Sequence, residues 1–361
     1  PLVPLMRRLG YNVELLESAS KEDLDVGLRH VNNDACFPAI MVVGQLVNKI
    51  RSGEADPHRT SVAITQTGGM CRATNYVGLL RKALADAGYP QIPVLAVSVQ
   101  GLEESPGFTL SPSMIHPLLQ ALVLGDLLQS LLLRVRPYEA RQGSAKELYG
   151  RWDLICQEWL QFSGRSATLG RSVGYSKLVR LIVGEFDALP LADGPRRPRV
   201  GIVGEILVKF HPDANNHVVD VIEAEGCEAV IPGILQFFLM PLYSAQYQWE
   251  TLGIGRKSHH VKRLATWLIE KYQQPVAQAL AKTGKFDVPP RMSDLAKKAD
   301  GVISLGTRAG EGWLLTAEMV ELIEIGAPNI ICAQPFACLP NHVVGKGMFA
   351  ELRRLHPEAN I

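Results

Sequence analysis

Apolar positions along this chain follow two alternating rhythms. Short β-branched or apolar runs bounded by turn residues read as strands, and longer stretches with apolar residues every third or fourth position read as helices. Strands are expected at Tyr11–Leu16, Ser61–Gln66, Pro93–Ser98, Val200–Gly204, Ala229–Pro232, Gly301–Leu305 and Asn329–Ala333. Helical spacing covers Cys36–Arg51, which ends at Ser52-Gly53, and Arg72–Ala87, which Gly88 stops. It returns at Ala214–Glu225, where Asp213 sits at the capping position, at Glu311–Ile325 and at His342–Leu355. From Ser111 to Leu189, and again over Phe237–Thr283, the signal is almost wholly helical.

Strands alternating with helices predict an α/β fold with parallel, doubly wound sheets. The helical stretch reads as an insert that completes a first domain, residues 1–195. Arg196-Arg197-Pro198 reads as a linker to a second α/β domain, residues 196–361. One weak echo links the halves. Cys36-Phe37-Pro38 precedes Val42-Val43-Gly44, and Cys338-Leu339-Pro340 precedes Val343-Val344-Gly345, as though both halves present equivalent edges to a shared cleft.

Composition narrows the function classes. A 361-residue chain that is 47% apolar and 20% charged can bury a sizeable core, and its formal net charge of +1 gives no reason to expect nucleic acid or an acidic membrane as partner. Leu118–Val135 is apolar, but Gln120, Asp126 and Gln129 interrupt it, so it reads as a core helix rather than a membrane span. Pro1 is not an initiator methionine, so the chain is expected to be a processed product or part of a longer polypeptide. The six cysteines lack the close spacing of a disulfide scaffold, which favours the cytoplasm and thiolate chemistry.

Three cysteines occupy chemically useful places. Cys71 follows the Ser61–Gln66 strand across the Gly68-Gly69 turn, Cys338 follows the Asn329–Ala333 strand, and Cys36 opens a helix with Pro38 in its first turn. Ligands of open α/β sheets sit at the carboxyl ends of strands. A helix N-terminus also favours a thiolate. Cys36, Cys71 and Cys338 are therefore candidate ligands of a metal or iron–sulfur cluster, and Gly68 and Gly69 would let the backbone approach it. Cysteine is also a common small core residue, and that reading fits Cys156, Cys227 and Cys332 better. Zinc suits the set less well, because a structural zinc site wants four ligands and no histidine stands at ligand spacing.

Four segments, "DACFPAIMVVGQL", "TQTGGMCRATNYVGLLRKAL", "VGEILVKFHPDANNHVVDVIE" and "GEGWLLTAEM…QPFACLPNHVVGKGM", resemble the 2-hydroxyacyl-CoA dehydratase and benzoyl-CoA reductase superfamily. The likeness is to its uncharacterised branch, found as the C-terminal region of large CoA-substrate-specific enzyme activases related to 2-hydroxyglutaryl-CoA dehydratase activators. It implies two Rossmann-like domains with a 4Fe-4S cluster in the cleft between them, held by Cys36, Cys71 and Cys338. It also implies a single low-potential electron delivered by an ATP-driven activase, used for radical dehydration or reduction of a substrate such as an acyl-CoA. Two other roles stay open: a non-catalytic electron relay or scaffold within a large activase protein, and a double-cubane reductase of small molecules, which would want more cysteine ligands. The chain has no phosphate loop, since "VGIVGE" lacks the glycine pattern, so any activase lies elsewhere, in a larger polypeptide or an oligomer.

Further residues at the same strand ends have two readings each. Arg72, Thr74 and Asn75 read either as hydrogen-bonding groups toward cluster or substrate or as helix caps. Glu205 and the Arg308–Glu311 turn read as cleft carboxylates able to move protons, or as ion-pair partners. His211, His217, Asn215, Asn216 and His342 are expected to cap or face solvent, and Trp313 and Phe336 are expected in the core.

Overall fold

A computed structural model describes residues 2–67, 69–98, 103, 105 and 112–361. The chain is mixed α/β, with small parallel sheets embedded in helices. Strands β1 (Val62–Thr65) and β2 (Val94–Val97) pair in parallel, with Val62 opposite Val94 and Thr65 opposite Val97. A short antiparallel hairpin, β3 (Arg165–Ser166) and β4 (Arg171–Ser172), follows. The second parallel sheet has the order β6-β5-β7, with β5 (Arg199–Gly204) central between β6 (Glu228–Val230) and β7 (Asn329–Ala333).

Helix Phe37–Arg51 buries Ile40, Val43, Val47 and Ile50, the stripe expected of a helix against a core. It crosses helix Lys21–His30, which begins in a capping box: the Ser20 side chain accepts from Asp23 N–H at 3.1 Å and Asp23 accepts from Ser20 N–H at 2.7 Å. The crossing is so close that a Cβ on Gly44 would fall 2.0 Å from the Asp23 carbonyl oxygen, and one on Gly27 would fall 2.1 Å from that of Ile40. The crossover from β1 to β2 runs through a 3-10 turn, Arg72–Asn75, and helix Tyr76–Asp86, whose Val77, Leu80 and Ala83 are fully buried.

The largest core lies among helices. Helix Pro112–Val135 packs with Ser144–Gln161 and Tyr175–Asp187 from the first half, and with Leu235–Leu252, Arg256–Ala281 and Met292–Asp300 from the second. Its Leu124, Leu127, Leu128 and Leu131 are at most 2% exposed, as the reading of a core helix requires, although by length and composition alone the helix is apolar enough to cross a membrane. Helices from both sides of residue 195 thus share one core. The expected linker is also pinned: Arg196 pairs with buried Glu228 at 2.9 Å, and Arg197 N–H donates to the Tyr138 hydroxyl at 2.9 Å.

Two expected strands do not form. Residues 11–20 carry no regular element. Gly301–Leu305 is a turn, because the Val302 and Ile303 N–H groups both donate to the Ala299 carbonyl at the end of helix Met292–Asp300 and are lost to any ladder. Two helices are also shorter than expected. The helix after Asp213 starts only at Val218, since Asn216 and His217 hold φ of 56° and 52° and break the first turn. There Asn215 accepts from Val218 N–H at 3.2 Å, while Asp213 accepts instead from Ala19 N–H at 2.8 Å. His342–Leu355 divides at Gly345 into helix Leu339–Val344, a 3-10 turn and helix Phe349–Leu355.

Candidate metal centre

The carboxyl ends of β1, β5 and β7 carry the candidate groups. Past β1 the chain turns through Gly69, at φ +79°, to Cys71 at the start of the 3-10 turn. Past β5, Gly204 holds φ +139° against Ala333, where a Cβ would fall 2.1 Å from the Ala333 oxygen; only glycine permits this approach. Glu205 follows at once, its N–H donating to that same oxygen at 3.1 Å. Past β7, the chain reaches Cys338 through Ala337, which holds a left-handed φ of 57°. Cys338 and Cys36 occupy the same place in their helices: each is the residue before the first turn, with proline just inside. The two segments also touch, for Phe37 N–H donates to the Phe336 carbonyl at 3.1 Å. The echo in the sequence is therefore a spatial pairing.

The electrostatics tie the thiols to two carboxyls. Burial pushes the Cys71 thiol up to about 11, with Glu311, Cys36 and Glu205 adding to the rise. Burial pushes Cys338 up to about 12, again with Glu311 and Glu205 adding. Glu205 is raised to about 7 by burial and by Glu311, and Glu311 is itself raised by burial. These acids are crowded together in a poorly hydrated space, and the charges that act on the two thiols are negative.

Short contacts hold the cluster of acids in place. Cys36 Sγ and Tyr76 Oη lie 3.3 Å apart. Asn341 Nδ2 donates to Cys338 Sγ at 3.3 Å and to Glu311 Oε2 at 2.5 Å, and Ile206 N–H donates to Glu311 Oε1 at 3.0 Å. Glu205 caps helix Ile206–Phe210 by accepting from Val208 N–H at 3.0 Å. Behind them Lys209 Nζ reaches both oxygens of Glu318 at 3.0 Å, an ion pair with both side chains about 95% buried. Asn341 Oδ1 and Thr67 Oγ1 are buried without a hydrogen-bond partner.

Among the described residues, no three His, Cys, Asp or Glu side chains are placed to hold a single metal ion. A cluster makes a different demand, because its own iron and sulfide occupy the middle and hold the ligands apart. The donor set suits one. Three thiols on separate turns are the soft ligands that iron–sulfur centres take.

Other candidates fall elsewhere. Gly68 lies outside the described residues. Gly69 has open space around it, so its turn conformation, not close packing, explains the glycine. Arg72 is exposed, and Thr74 Oγ1 donates to the Gly69 carbonyl at 3.1 Å as a turn contact. Trp313 is core, donating to Ser244 Oγ at 3.0 Å. Phe336 is not: it is 68% exposed, beside equally open Leu339. Cys156 is wholly buried in the helical core, and Cys332 Sγ accepts from Gln334 Nε2 at 3.3 Å. His211 stands at the C-terminal cap of helix Ile206–Phe210 through its backbone N–H, which donates to the Leu207 carbonyl at 2.8 Å, while both its ring nitrogens are buried without hydrogen-bond partners. Tyr76, Asn341 and the Lys209–Glu318 pair were not singled out by the sequence; only the position of Asn341 three residues after Cys338, in the same helical turn, hinted at a role.

Compared with family models, with curated proteins and with solved structures, the chain matches none.

Proposed function

We propose that this chain is the iron–sulfur component of a reductase system of the 2-hydroxyacyl-CoA dehydratase type. In this reading Cys36, Cys71 and Cys338 hold a 4Fe-4S cluster between two Rossmann-like bodies, one built on β1–β2 and the other on β5–β7. What supports it is that Cys71 and Cys338 share two neighbouring carboxyls, Glu205 and Glu311, and that the Cys36 turn meets the Cys338 turn where Phe37 N–H donates to the Phe336 carbonyl at 3.1 Å.

When bound, the cluster supplies one-electron chemistry at low potential, with the electron coming from an ATP-driven activase and passing to a substrate of the acyl-CoA class. The chain's own residues prepare that site. Tyr76 and Asn341 direct hydrogen-bonding groups at the Cys36 and Cys338 sulfurs, which favours the more reduced, more negative centre. Glu311 holds Asn341 in place. Glu205, raised to about 7, can hold a proton at its carboxyl near neutral pH and release it toward the cleft. Met70, Phe336 and Leu339, which adjoin the ligating cysteines, are 80%, 68% and 70% exposed; large apolar side chains at the rim suit transient docking of a redox partner.

The test is iron and sulfide analysis with electron paramagnetic resonance on protein prepared and reconstituted anaerobically. About four irons and four sulfides per chain are expected. Each of Cys36→Ala, Cys71→Ala and Cys338→Ala should lose or degrade the cluster, and Cys156→Ala should keep it. Failure of the wild-type chain to take up iron, or full retention by all three variants, overturns the proposal. Turnover of an acyl-CoA with a matched activase then separates a dehydratase from an electron relay.

A further inference from the structure

A cavity of about 140 Å³ lies beside helix Pro112–Val135, along the edge strand β6 and against helix Trp313–Glu324. Leu127, Leu133, Val276, Leu280, Phe286 and Leu322 form the apolar part of its wall, and the carboxylates of Glu318 and Glu321 also line it. For scale, an engineered apolar cavity of about 150 Å³ takes up benzene, a six-carbon ligand.

The two ends of the cavity are polar and incompletely satisfied. At one end, Asp126 accepts from Ile234 N–H at 2.9 Å and Leu235 N–H at 3.0 Å, fixing the first turn of helix Leu235–Leu252 there. Gln236 in that turn is 4% exposed, and its Oε1 has no hydrogen-bond partner. At the other end, Arg134 Nη1 is buried without a hydrogen bond; the nearest carboxylate is Glu228, 3.6 Å away. Glu228 is already occupied by Tyr138 at 2.7 Å, Arg196 at 2.9 Å and Arg199 at 3.2 Å. Around Glu228 and Asp287 three guanidinium groups face two carboxylates, so positive charge is in excess at this end. Of the other carboxylates lining the cavity, Glu318 and Glu321 pair with Lys209 and Lys298, and Asp126 stands at the far end. Asp126 and Arg134 stand eight positions apart on one helix, about 12 Å along its axis.

An orphaned acceptor and an under-neutralised cation at opposite ends of an apolar cavity describe one ligand shape. The geometry points to a binding site for a short ω-hydroxy carboxylate of about six carbons. Its carboxylate lies on Arg134, its methylenes along the apolar wall, and its terminal hydroxyl donates to Gln236 Oε1. The cysteines take no part, so the site stands or falls without the iron–sulfur reading.

Calorimetric titration of the 361-residue chain with hexanoate and with 6-hydroxyhexanoate tests this. Both should bind saturably, with the hydroxy acid about fivefold tighter, the worth of one hydrogen bond to an otherwise unsatisfied group. In an apolar cavity lacking such an acceptor, a hydroxyl weakens binding instead. Gln236→Leu removes the unpaired acceptor together with the amide NH2, should stay folded, and should reverse the preference in favour of hexanoate. Arg134→Leu should weaken both acids at least tenfold, with partial recovery in Arg134→Lys; circular dichroism confirms that each variant is folded. The inference is overturned by absence of saturable binding up to about 10 mM, by a hydroxyl that weakens binding to the wild type, or by an unchanged preference in folded Gln236→Leu.

Discussion

The Cys36 sulfur and the Tyr76 phenol oxygen lie 3.3 Å apart in a buried contact between residues separated by 40 positions. The contact joins the N-termini of two helices, Phe37–Arg51 and Tyr76–Asp86, and so joins the Cys36 turn to the one that carries Cys71. Burial, together with Cys36, holds the Tyr76 phenol far above its ordinary pKa, which keeps it protonated and able to donate to a thiolate.

Tyr76→Phe should therefore leave the cluster bound and lower its midpoint potential. A hydrogen bond worth about 1 kcal/mol more in the reduced state corresponds to a shift on the order of 40 mV for a one-electron couple. Voltammetry on the reconstituted variant measures this. An unchanged potential with full iron content would reduce Tyr76 to a packing residue.

Two glycines in the same pair of helices should respond oppositely to alanine. Gly44 meets the Asp23 carbonyl of the neighbouring helix, so Gly44→Ala must push the helices apart and should cost more than 3 kcal/mol in urea denaturation. Gly78, in helix Tyr76–Asp86, has nothing within 4 Å of its would-be Cβ, and Gly78→Ala should stabilise by up to about 1 kcal/mol. Similar effects at the two positions would contradict the close crossing.

The contrast between these glycines marks what sequence could and could not reveal. Spacing was enough for the Phe37–Arg51 helix, for β1, β2, β5 and β7, and for cysteines at turns, because each reflects local periodicity or chain order. Which neighbour a helix meets is not local. Nothing in the pattern of residues 301–305 says that Val302 and Ile303 will give their N–H groups to Ala299, since the apolar run itself suits a buried strand equally well. Asp213 likewise had the right residue type for a cap, but a distant backbone, Ala19, claimed its carboxylate. The polar shell around the thiols, Tyr76, Asn341 and Glu311, comes together only through tertiary contacts, from the segments after β1 and β7 and from the turn before helix Trp313–Glu324.

The Lys209–Glu318 pair offers a test of how the buried acids are held. Lys209→Met strips the counter-charge from a carboxylate about 95% buried, and should cost about 3–5 kcal/mol at neutral pH. Combining it with Glu318→Leu removes the stranded charge, so the double variant should recover most of that loss. Urea denaturation of the two single variants and the double variant measures the coupling. A double variant as unstable as Lys209→Met alone would mean that packing around the pair, not its charge balance, matters.

Glu205 should make the metal-free chain less stable as the solution becomes more alkaline. Its carboxyl is raised from 4.5 to about 7 by burial and by Glu311, so the folded state holds a proton that the unfolded state has already released. Between these two values the folded chain binds more protons, and stability must fall as pH rises through the interval, levelling off above about 7. The full loss assigned to this group is on the order of 3 kcal/mol. Asp126, raised to about 6 chiefly by burial, acts in the same direction over the lower part of the range, so the comparison must be with a variant and not with a flat line. Glu205→Gln keeps a side-chain oxygen to accept from Val208 N–H but cannot ionise. Urea denaturation from pH 4.5 to 8 should show the wild type losing stability relative to this variant as pH rises. Parallel curves would mean that Glu205 is hydrated or paired in solution, and with that the crowding of negative charge around Cys71 and Cys338 would lose its support.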